Sequence, residues 1–75
     1  MMKLEEFINV FADQFDDTER AEFTPNTKFK ELDEWSSLIA LSVIAMVDEE
    51  CNVSISSDVI KDSETIEELY NKIYA

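Results

Sequence analysis

The stretch SSLIALSVIAMVDEECN, Ser36 to Asn52, opens on two adjacent hydroxyls, runs through LIALSVIAMV and closes on three acids, a cysteine and an asparagine. Steps of three and four residues along it predict a helix over about Ser37 to Glu50. Ser36 is placed as its N-cap, because a serine hydroxyl accepts from the unpaired N–H groups of a first turn. Asn52 is placed at its exit, where a left-handed residue is expected and asparagine is tolerated. Ala40, Val43, Ile44, Val47 and Cys51 form one apolar stripe and are read as the core face. Leu38, Leu41 and Ala45 form a second, with Ile39 and Met46 on a third side. So much apolar surface exceeds what one core face needs. The surplus stripe is either a surface for docking a partner or is wrapped by another part of the chain.

Upstream, Leu4, Phe7, Ile8, Phe11 and Phe15 share a helical stripe, which predicts a first helix over about residues 3–15. Between the two helices, Asp16 to Trp35 mixes charges with TPNT around Pro25 and has no helical period. Phe23, Phe29, Leu32 and Trp35 read as its apolar anchors, so a long ordered loop with one short helical turn is expected. Downstream, Ser56 to Asp62 reads as a short serine-capped helix. Thr65 and Glu68 then form a capping box before a last helix whose buried stripe is Ile66, Leu69, Tyr70 and Ile73. The fold class expected is all-α, a small four-helix bundle of three longer helices and one short one with a long first loop, as one domain over residues 1–75.

Composition narrows the function. Eighteen acidic and six basic side chains give a net charge of −12. That field repels nucleic acid and anionic membrane surfaces and attracts basic protein surfaces. With no histidine, the commonest general base and metal ligand are absent, so autonomous catalysis and a metal site are not expected. The lone Cys51 forms no intrachain disulfide and is read as a buried thiol. Asp48, Glu49 and Glu50 are read as a solvated face, since a calcium loop of EF-hand type alternates its ligands around a glycine and this chain has none. No apolar run reaches the roughly 20 residues of a membrane span, and no secretory signal is read at the N-terminus. A cytoplasmic monomer is the expectation.

The arrangement LDEWSSLIALSVIAMVDEECNVSI, with TIEELYNKI after it, resembles the acyl carrier proteins and related carrier domains. Their signature is Asp-Ser-Leu at the start of the second helix. The resemblance puts Ser37 on the serine that bears 4'-phosphopantetheine, derived from coenzyme A, with Leu38 after it and Ser36 on the usual aspartate. It implies a carrier of acyl or aminoacyl thioesters, not an enzyme, serving fatty-acid, polyketide or peptide-type assembly. The implied partners are a phosphopantetheinyl transferase and acyl-transferring or condensing enzymes with basic docking surfaces. Docking would use Leu38, Leu41 and Ala45 together with Asp48 and Glu49. The chain departs from the pattern at Ser36, which keeps a cap and loses a charge, and at Ile39 and Ser42, where acids often stand. Cys51 and Asn52 replace a phenylalanine and a glycine. The other readings are an unmodified acidic helical interaction module and, more remotely, an enzyme built on carboxylates or lysines. Trp35 is read as a loop anchor packed on the bundle.

Overall fold

The first apolar stripe winds into α1, Leu4–Ala12, with Phe7, Ile8, Phe11 and Ala12 buried. Glu6 Oε1 accepts from Lys3 N at 3.0 Å and so closes the N-terminal end. The helix stops three residues short of the expected boundary. Gln14 N and Phe15 N bond to the carbonyls of Phe11 and Ala12, three residues back, so the last turn tightens. Phe15 still reaches the core, at 6% exposure. The computed structural model describes residues 1–75.

The long connection carries two short 3-10 turns, Arg20–Glu22 and Phe29–Glu31, where one turn was expected. Phe23 and Phe29 are buried, while Leu32 and Trp35 are half-buried against the same cluster. The Phe11 and Phe29 rings meet edge-on at 5.3 Å, Phe15 and Phe23 lie 5.0 Å apart, and Trp35 meets Phe29 at 5.1 Å. Burying each ring contributes about 1.5–3 kcal/mol. The loop is therefore an ordered lid of the core. Polar ties hold it as well: Arg20 donates from Nε and Nη2 to Asn9 Oδ1 and from Nη1 to the Phe23 carbonyl.

The central stretch forms α2, Ser37–Cys51. Val43, Met46 and Val47 are its buried residues. The expected core stripe is thus shifted: Ala40, Ile44 and Cys51 are only half-buried, and Met46, placed on a third side by the sequence, lies in the core. Asn52 ends the helix with φ 56° and ψ 35°, the only positive φ in the chain and the left-handed exit expected of it.

Ser57–Lys61 forms α3, which buries Ile60. Ser56 holds the cap position, but its side chain makes no capping bond. Ser63 is fully buried after α3, and its hydroxyl donates to the Val59 carbonyl at 2.7 Å, which satisfies it. Ile66–Ile73 forms α4, burying Ile66, Leu69, Tyr70 and Ile73 as the spacing predicts. Thr65 Oγ1 accepts from Glu68 N at 3.1 Å, while the Glu68 carboxylate reaches past the cap residue to Glu64 N at 3.0 Å. The open N–H groups of Ile66 and Glu67 donate to the loop carbonyls of Thr27 and Pro25, locking the first loop to the last helix. At the other end, Tyr70 and Tyr74 pin Met2: the Tyr70 hydroxyl donates to its carbonyl and its N–H donates to Tyr74 Oη. The four helices and the loop enclose one core of 15 buried residues in a body of 28 × 23 × 20 Å. No helix is long and apolar enough to cross a membrane.

Candidate functional site

The adjacent serines divide their work by one step of backbone. Ser36, extended at φ −157° and ψ 171°, accepts from Ile39 N through Oγ at 3.2 Å. Ser37, the first residue inside α2, is exposed. No acid occupies the first turn of α2, whereas α1 carries Glu5 and Glu6 there, α3 Asp58, and α4 Glu67 and Glu68. The positive end of the α2 dipole is therefore not offset by a carboxylate of its own turn, which favours an anion beside Ser37.

Just before the serines, Glu34 acts as a clamp. Its carboxylate accepts the Thr18 hydroxyl at 2.7 Å and the N–H groups of Asp16 and Asp17 at 2.7 and 3.0 Å. The Thr18 bond first, and then the two backbone donors, hold the Glu34 carboxyl below its ordinary range against an opposing push from lost solvation. The approach to α2 is thereby tied back to the start of the long loop.

Along α2 the residues singled out for docking lie on open surface. Leu38 is 73% exposed and Leu41 63%, and Ala45, Asp48 and Glu49 are exposed with them. Apart from Met1, these two leucines are the only large apolar side chains left in water. The long loop does not wrap them.

Beside Ser37 lies a groove of about 560 Å³ between α2, α3 and the second 3-10 turn. Ser36 and Ser37 lie on its lining, and Trp35, Ala40, Leu41, Ile44 and Ile60 make its apolar wall. Ala40 and Ile44, read from the sequence as core, are wall residues, which accounts for their partial burial. Trp35 anchors the loop, as expected, and lines the groove too. Lys30 and Lys61 also border it, and the sequence reading had no reason to join them, since 31 positions separate the two. Cys51, expected inside the core, is half-buried at the far end of α2, where its thiol, ahead of burial, pushes the Tyr74 hydroxyl above its ordinary pKa. No group of acids and Cys51 is arranged to hold a metal ion.

An exposed serine, a helix start without its own acid and an apolar groove alongside fit a tethered anion. The family described as phosphopantetheine attachment site matches residues 5–73. The chain belongs to that family. Domains of this family are sites of covalent 4'-phosphopantetheine attachment, and the all-helical bundle is consistent with the small acyl-carrier type. A carrier role in the general sense follows from membership. No curated protein and no solved structure matches the chain significantly.

Proposed function

We propose that Ser37 is the attachment residue and that the protein carries acyl or aminoacyl groups between biosynthetic enzymes, without performing bond chemistry on them itself. The observation behind this reading is the exposed Ser37 hydroxyl on the first turn of α2, next to a cap already taken by Ser36. In attachment, the Ser37 oxygen forms a bond to the phosphorus of coenzyme A that bears the pantetheine half, loses its proton, and releases the nucleotide half as adenosine 3',5'-bisphosphate. The helix start and its unpaired N–H groups then stabilise the resulting phosphodiester. When bound, the arm supplies a thiol that holds cargo as a thioester.

Leu38, Leu41 and Ala45 form the apolar part of the docking face, with Asp48 and Glu49 at its acidic end. The partners are a phosphopantetheinyl transferase and acyl-transferring or condensing enzymes whose docking surfaces are basic. Charges so far from the first turn make the apolar stripe the main contact near Ser37, with the acids steering approach.

Intact mass after incubation with coenzyme A and a phosphopantetheinyl transferase tests the assignment. One added phosphopantetheinyl group is expected, and none on Ser37→Ala. No addition to the wild type, or addition that survives the substitution, rejects Ser37. An unmodified interaction module would instead bind its partner equally well through wild type and Ser37→Ala.

A further inference from the structure

The groove beside Ser37 differs from the rest of the surface in charge. Five grooves mark the molecule, and the other four each have at least one carboxylate side chain in their lining. This one has none, yet it takes Lys30 and Lys61, two of only six basic residues in a chain of net charge −12. Lys30 is held in place: its Nζ donates to the Lys61 carbonyl at 2.5 Å and lies 6.0 Å from the centroid of the Phe29 ring. That bond uses one of the three N–H donors a lysine carries.

A groove that served only a hydrocarbon chain would gain nothing from two lysines on its border, whose ammonium groups are costly to strip of water against an apolar partner. An anionic cargo, in contrast, is repelled by the protein's overall field and needs a local region of opposite sign to settle. We propose that the group carried at Ser37 has an apolar body ending in a carboxylate, with the body along Trp35, Ile44 and Ile60 and the carboxylate recognised by Lys30 and Lys61. This rests on attachment at Ser37.

The test loads the protein through a phosphopantetheinyl transferase with adipoyl-coenzyme A or hexanoyl-coenzyme A, which differ in the terminal carboxylate. Hydroxylamine then cleaves each thioester: its nitrogen attacks the carbonyl carbon, the C–S bond breaks, and a hydroxamate and the free thiol result. Each rate is divided by that of the same free acyl-coenzyme A, which removes intrinsic reactivity. The adipoyl form is expected to be protected about fivefold more than the hexanoyl form, the scale of two partly exposed ion pairs, and to shift the emission of Trp35, the single tryptophan. Lys30→Gln and Lys61→Gln are each expected to reduce that difference, high salt to reduce it further, and Lys30→Arg to retain it. Circular dichroism checks that each variant is folded, and Lys61→Gln leaves the backbone carbonyl that Lys30 uses. Equal protection of both cargoes, or adipoyl protection unchanged in both glutamine variants, overturns the proposal. Lysine substitutions that move both loaded forms alike mark the arm's own phosphodiester as the anion recognised, and overturn it too. Absence of any mass gain on the wild type refutes attachment itself, and with it this proposal, by a readout separate from the cleavage rates.

Discussion

Ser36 and Ser37 are the same chemistry one residue apart, and backbone conformation alone gives them different work. Replacing Ser36 by alanine removes the acceptor for Ile39 N, and a lost cap of this kind costs about 1 kcal/mol. A lower urea midpoint for Ser36→Ala, set beside a nearly unchanged one for Ser37→Ala, checks that division. Glu34 carries a second prediction. Its carboxyl is lowered in the folded state, so its ionised form contributes stability above the ordinary carboxylate pKa, and that contribution is lost as pH falls through the lowered value. The melting temperature of the wild type is expected to exceed that of Glu34→Gln near pH 7, with the gap closing as pH drops below the carboxylate range. The Ser36 cap was legible in the sequence because a cap is a local pattern. The Glu34 clamp was not, since its partners Asp16, Asp17 and Thr18 lie 16 to 18 residues away and only the folded loop joins them.

At the scale of the element, α1 and α4 show why their faces could be read and α2 why its face could not. The amphipathic helices bury the residues their spacing marks, Phe7, Ile8 and Phe11 in one and Ile66, Leu69, Tyr70 and Ile73 in the other. A helix apolar on every side offers no such phase. On α2 the core takes Val43, Met46 and Val47, the groove takes Ala40 and Ile44, and the surface keeps Leu38 and Leu41. That surplus was visible as an excess from the start, and the stripe named for it, Leu38, Leu41 and Ala45, is exposed, while the core stripe was misplaced at Ala40, Ile44, Cys51 and Met46. The helix boundaries were less legible where the backbone tightens, as after Ala12. If Leu38 and Leu41 belong to the docking face, changing both to alanine lowers the transferase kcat/KM on the order of tenfold, equal to about 1.4 kcal/mol of lost contact. Because both side chains stand in water, the denaturation midpoint should hardly move. Steady-state kinetics and a urea melt on the same sample check the pair.

For the molecule as a whole, the all-helical class and the order of elements followed from hydrophobic period, helix caps and loop length, all present in the sequence. The joining of loop to α4 through Thr27 and Pro25, and of Met2 to two tyrosines, did not, because backbone partners leave no residue signature. These ties are unevenly spread. The loop, α1 and α4 are bound by aromatic rings and by several bonds distant in sequence, while α3, apart from the Lys30 bond to its last carbonyl, has five residues, one buried side chain and a cap serine that makes no side-chain bond. So short a helix has little stability of its own. Backbone amides of Ser57–Lys61 are therefore expected to exchange with deuterium well before those of Val43–Val47, as residue-resolved exchange can measure. The groove at Ser37 thus has two walls tied into the core and one weakly held wall, α3, so a long group carried at Ser37 as proposed would gain room by displacing α3 rather than the phenylalanine cluster behind α2.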